Sequence, residues 1–133
     1  LREKPSSKQV AMVALPEFEA LPKLLKHMDR SLGGTLSAFE AMWQPFYQLV
    51  TTPPAKGRPP VPQNFPFYAL IESLGSNQQS DSERFNEALE AAINEGLIAD
   101  AAIAQSEADC QAIWALRESA AAFRNPVMLY SIG

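Results

Sequence analysis

Apolar positions along the chain recur with two different periods, and the places where the period changes mark the elements. Residues 8–16, KQVAMVALP, are a short apolar run closed by proline, the pattern of a buried strand. Over 17–34, Phe18, Leu21, Leu24, Leu25, Met28 and Leu32 recur every three or four residues, which predicts one helical stripe ending at Gly33-Gly34. Pro22 fits such a helix only in its first turn. Residues 35–43 alternate, with Leu36, Ala38 and Glu40 on one face and Ser37, Phe39 and Ala41 on the other, so they predict a strand. Residues 44–50 then read as a short helix with Pro45 near its first position.

Residues 51–66 hold six of the eleven prolines and are expected to be an extended loop, neither helix nor central strand. FYALIESLG, 67–75, predicts a third strand. Ser80 followed by Glu83 is a capping box, which puts the next helix start there, with Phe85, Leu89, Ala92 and Ile93 as its buried stripe and Gly96 as its end. LIADAAIAQ, 97–105, predicts a fourth strand. Ser106, with Glu107 and Asp109 in the first turn, caps a last helix that runs to Phe123 and stops before Pro126. VMLYSI, 127–132, reads as the start of another strand.

The order β-α-β-(α)-β-α-β-α, in two βαβ halves joined by the proline loop, is the split-βαβ, ferredoxin-like pattern. The expected fold class is α+β, a single domain over residues 1–133 with an antiparallel sheet and helices on one face. The other face is expected to stay open unless something packs on it, such as a missing domain.

Length and composition narrow the function. At 133 residues and 47% hydrophobic, the chain suits one domain with an ordinary core. A net charge of −4 with no basic run argues against nucleic acid or an anionic membrane surface as partner. No apolar run reaches the roughly 20 residues of a membrane span. Cys110 is the one cysteine, so an intrachain disulfide is impossible, and a reducing, cytoplasmic setting is expected. The chain begins without Met and stops at MLYSIG, which reads as a fragment of a longer protein.

Few residues offer chemistry. His27, the only histidine, has no cluster of ligands around it and reads as a surface residue, so no metal site is expected. Cys110 lies in the first turn of the last helix, where Glu107 and Asp109 oppose a thiolate, and it reads as passive. Gly33-Gly34 and Gly75 are turn glycines without a phosphate-binding motif. Glu40 and Glu72 are carboxylates inside apolar strands. Each is either the solvated face of a half-buried sheet or a contact for a partner domain or ligand. Arg117 and Glu118 are either an exposed charged pair or, with Trp114, Ala121 and Phe123 at helical spacing, a guanidinium beside an apolar wall, suited to a carboxylate.

TLSAFEAMW (35–43), FYALIESLGS (67–76) and IWALRE (113–118) together resemble, in order and spacing, the C-terminal domain of the FAD-linked oxidases. The branch resembled is that of the D-lactate, D-2-hydroxyglutarate and glycolate dehydrogenase-like enzymes. The resemblance implies a parent protein that oxidises a D-2-hydroxy acid and passes a hydride equivalent to FAD, held mainly by a separate FAD-binding domain of the same chain. It implies that Arg117 binds the substrate carboxylate. A hydroxyl residue one turn later contributes in that branch, and this chain has Ala121 there. The family continues into D-V-S-L-P and G-H-x-G-D-G-N-x-H segments that supply metal and substrate ligands, and this chain ends at Gly133 before either. No catalytic residue is therefore expected within it, and the fragment alone is expected to be inactive. The competing expectation is a stand-alone ferredoxin-like module for regulation or association, of a kind that forms homodimers through the sheet.

Overall fold

The computed structural model describes residues 7–53, 55 and 57–123, with side chains up to Ser119. The strand expected at 127–132, and the side chains of Ala121 and Phe123, lie outside the described residues.

The elements run β1 (Ser7–Leu15), α1 (Ala20–Ser31), β2 (Leu36–Trp43), α2 (Gln44–Val50), β3 (Phe67–Gly75), α3 (Gln78–Asn94), β4 (Asp100–Ile103) and α4 (Glu107–Phe123). The four strands form one antiparallel sheet in the order β2-β3-β1-β4. The fold is α+β, as expected, and the strand order is that of the split-βαβ pattern.

One face of the sheet carries α1 and α3. Ala11, Val13 and Leu15 of β1, Phe39 of β2 and Ile71 of β3 meet Leu21, Leu24 and Met28 of α1 and Phe85 and Leu89 of α3. The expectation of helices on this face alone needs correction. A second cluster joins Val10, Met12 and Ala14 of β1 and Tyr68 and Leu70 of β3 to Phe46 and Tyr47 of α2, Val61 of the proline loop and Ile113 and Leu116 of α4. The cause lies in β1, whose residues Val10 to Leu15 are all apolar and all 0% exposed. A strand apolar on both faces needs cover on both.

Two local differences follow from hydrogen bonding. The α3 N-cap is Asn77, whose side chain accepts from the Ser80 N–H at 3.0 Å, while Asp81 accepts from the Asn77 N–H at 3.0 Å. The capping device therefore sits three residues before the Ser80 expected, and Ile93 is left 44% exposed. In β2 the register against β3 shifts between Leu36 and Ala38. This bulge turns Leu36 to the same core as Phe39 and Ala41, against simple alternation, and leaves Ser37 as the extra residue. The last helix starts as expected, with the Ser106 hydroxyl accepting from the Asp109 N–H at 3.1 Å and Asp109 accepting from the Gln105 N–H at 2.9 Å. Pro22 falls in the first turn of α1, where its missing N–H costs nothing.

Candidate functional site

Glu40 and Glu72 sit on neighbouring strands and point to the same side of the sheet, the side that α4 covers. Glu40 lies opposite Leu70 and Glu72 opposite Ala38, so the β2–β3 register sets their spacing. Both carboxylates are engaged by α4, and neither faces open solvent. Trp114 donates its indole N–H to Glu72 Oε2 at 3.0 Å. Ser37, displaced by the bulge, donates to Glu72 Oε1 at 2.7 Å. Each oxygen of Glu72 thus has its own donor.

One turn further along α4, Arg117 Nε lies 3.3 Å from Glu40 Oε1. Glu40 is 5% exposed, so its charge needs this cation. The contact is an ion pair without good hydrogen-bond alignment: among the described residues, Nε has no aligned acceptor and the buried Glu40 Oε2 has no partner. The Arg117 side chain is 32% exposed. Its partner is Glu40 across the interface, and the adjacent Glu118 is exposed. A guanidinium has five donors, and a contact through Nε does not itself use the end-on pair of Nη groups. That edge takes a carboxylate through two parallel hydrogen bonds.

The proline loop is anchored beside this helix. Tyr47 and Tyr68 stack with ring centroids 3.7 Å apart. The Tyr47 hydroxyl donates to the Val61 carbonyl at 2.7 Å and accepts from the Val61 N–H at 3.1 Å. Tyr68 donates to the Pro62 carbonyl and accepts from the Phe65 N–H. Burial pushes both phenols above their ordinary range, and the backbone N–H contact at each pulls partly the other way. Beyond the anchored stretch, Arg58, Pro60, Ala102, Asp109, Ala112 and Leu116 help to line a pocket of about 290 Å³, whose walls include neither Arg117 nor Glu40.

The other candidates take structural places. His27 is half-buried and its Nε2 binds the Ala88 carbonyl at 2.8 Å, which ties α1 to α3. Cys110 is buried, and burial, then Glu107, pushes its thiol up, away from nucleophilic chemistry. Among the described residues no group of three His, Cys, Asp or Glu side chains could hold a metal ion. Gly33 and Gly34 take φ of 58° and 89° to end α1. The Asp81 carboxylate sits against Gly75. An anion at the Gly75 turn repels a pyrophosphate.

Ser37, Tyr47 and Tyr68 are the contributors that sequence reasoning missed. The tyrosines carried a signal: two phenols in apolar stripes on either side of a proline loop need acceptors, and that loop's carbonyls are near in sequence. The Ser37 bulge has no such signature in the alternation.

The fold and this interface define an antiparallel α+β fold in which Arg117 and Trp114 of the last helix meet two strand carboxylates. Residues 4–131 match the model of the C-terminal domain of FAD linked oxidases, and the chain belongs to that family. Over 115 residues it is 35% identical to the mitochondrial D-2-hydroxyglutarate dehydrogenase of Rattus norvegicus, covering 86% of this chain and 21% of that protein. The mitochondrial D-2-hydroxyglutarate dehydrogenase of Arabidopsis thaliana is 35% identical over 113 residues, 85% of this chain and 20% of the relative. A Schizosaccharomyces pombe protein named as a mitochondrial D-lactate dehydrogenase is 32% identical over 116 residues, 87% of this chain and 22% of the relative. The chain thus spans about a fifth of the length of these relatives. The expected cytoplasmic setting is overturned, since all three relatives are mitochondrial. A single cysteine reports that no intrachain disulfide forms and does not fix the compartment.

Proposed function

We propose that residues 1–133 belong to one domain on the substrate side of an FAD-dependent dehydrogenase of a D-2-hydroxy acid, with Arg117 holding the substrate carboxylate. The observation that carries this reading is the state of Arg117. Its guanidinium is held through Nε beside a buried carboxylate, while the side chain as a whole is 32% exposed. Family membership adds the reaction class. FAD, bound by the flavin-binding domain of the same protein, supplies the redox chemistry. The part of this chain is to bind and orient the substrate, so the domain alone neither holds FAD nor turns over. D-2-hydroxyglutarate and D-lactate are the leading substrates, because relatives are named for them. Glycolate is a third 2-hydroxy acid to include in the assay.

The test is the full-length protein that contains this segment. It should be yellow and should bleach with one of these hydroxy acids. Arg117→Lys keeps the charge but loses the planar fork, and should raise KM by about tenfold to a hundredfold. A colourless full-length protein, or an unchanged KM in the variant, rules the reading out. The stand-alone regulatory module has no observation in its favour beyond the lack of a catalytic set among the described residues.

A further inference from the structure

We infer that Glu40 is a positioning residue for Arg117: it sets the orientation in which the guanidinium offers its end-on edge to a substrate carboxylate. The inference rests on the proposed role of Arg117 and adds a second residue to it.

A buried carboxylate on the apolar face of a strand is costly without a cation. Glu72 shows how this sheet satisfies such a group, with one donor to each oxygen. Glu40 is different. One oxygen faces Arg117 Nε at 3.3 Å, and the other is buried with no partner among the described residues. The pair is therefore not the two-bond fork that consumes a guanidinium edge. Glu40 takes hold of the side of the group, at Nε. The hold comes from a rigid place, since pairing with Leu70 of β3 fixes the backbone of Glu40. Trp114, three residues before Arg117, fixes α4 against the same sheet through Glu72. Both the helix and the guanidinium it carries are thus referenced to β2 and β3.

The imperfect alignment of Nε on Glu40 fits this role. Hydrogen bonds that orient a binding group are often long and poorly aligned before the ligand arrives, and tighten once it is bound. Charge makes an opposing demand. A buried anion beside Arg117 weakens its pull on a second anion, so removal of Glu40 would tighten binding if electrostatics alone mattered. Positioning predicts the reverse.

The experiment measures KM and kcat of the full-length enzyme, for the hydroxy acid it oxidises, in Glu40→Gln, Glu40→Asp, Arg117→Lys and the Glu40→Gln/Arg117→Lys double variant. Glu40→Gln keeps the shape and removes the charge, and should raise KM about tenfold with kcat changed less than about twofold. Glu40→Asp keeps the charge but withdraws it by one methylene, and should also raise KM severalfold. Should Glu40→Gln fail to fold, the Asp variant decides alone. The double variant should match Arg117→Lys, because Glu40 acts only through the guanidinium. A raised KM in Arg117→Lys together with wild-type or lower KM in both Glu40 variants overturns this inference and leaves the role of Arg117 standing. Multiplicative effects in the double variant also overturn it. Unchanged KM in Arg117→Lys removes the role of Arg117, and this inference goes with it.

Discussion

Trp114 donates its indole N–H to Glu72 across 3.0 Å, from the last helix to the second strand of the sheet order, and so sets where α4 lies. The bond is half-buried, and Ser37 completes the carboxylate from the other side at 2.7 Å. Trp114→Phe keeps the ring and removes the donor. Glu72 Oε2 then loses its partner, at a cost of about 1–3 kcal/mol. Amides of α4 should exchange faster with solvent in the variant, while those of α3 on the opposite face keep their rates. Faster exchange in both helices would mean that the bond supports the whole sheet and not α4 in particular.

Alkaline pH should loosen the second core. Tyr47 is fully buried, and burial pushes its phenol well above the ordinary value of 10.0. Above about pH 10 the unfolded chain releases this proton and the folded chain keeps it. The contribution to stability is complete below that pH and falls as pH rises. Tyr47→Phe removes this dependence and should flatten the loss of stability above pH 10, measured by circular dichroism on the pH series. At neutral pH the same variant loses its bonds to Val61 and should be destabilised by roughly 1–2 kcal/mol. A wild-type alkaline profile in the variant would show that Tyr47 is not the group that titrates.

Most of the fold was legible in the pattern of apolar positions because the periods are clean. The helical stripe of α1 answers to a single face, and the apolar starts of β1 and β3 answer to burial on both. The burial of β1 was legible in the unbroken run Val10 to Leu15, but the cover on its second face was not: a short apolar run says that a strand is buried without saying by what. The cover comes from α4 and the proline loop, which are far from β1 in sequence. The site followed the same division. Arg117 stood out by residue type and by its neighbours in IWALRE. Its partner Glu40 lies 77 positions earlier (117 minus 40), and pairing between a strand and a helix so far apart is not written in either segment. Glu72 was noticed for its polarity in an apolar strand, but the donors that satisfy it depend on a bulge at Ser37 and on the rotation of α4.

The displaced start of α3 gives a direct contrast between two residues. Asn77 supplies the cap through its side chain, whereas Ser80 contributes its backbone N–H. Asn77→Ala should therefore destabilise the helix by about 1 kcal/mol. Ser80→Ala should stay within about 0.5 kcal/mol, since its hydroxyl is not the cap. Exchange rates of the first-turn amides of α3 distinguish the two: they should rise in the Asn77 variant only. The opposite ranking would restore Ser80 as the cap.

Gly57 tests how closely the proline loop is seated. A Cβ at this position would meet both the Leu116 side chain of α4 and the Val50 carbonyl at the end of α2. The Leu116 methyl is the flexible end of a side chain and can move, but the carbonyl belongs to the backbone and cannot yield without shifting the helix end. Gly57→Ala should thus cost about 1–3 kcal/mol, as overpacking does. The loss should centre on the loop, so limited proteolysis between Thr51 and Pro66 should accelerate. Leu116→Ala in the same background relieves one of the two clashes but leaves the Val50 carbonyl in place, so it should restore little of the protection. Full recovery in the double variant would show that the side chain, not the backbone of α2, sets the approach of the loop.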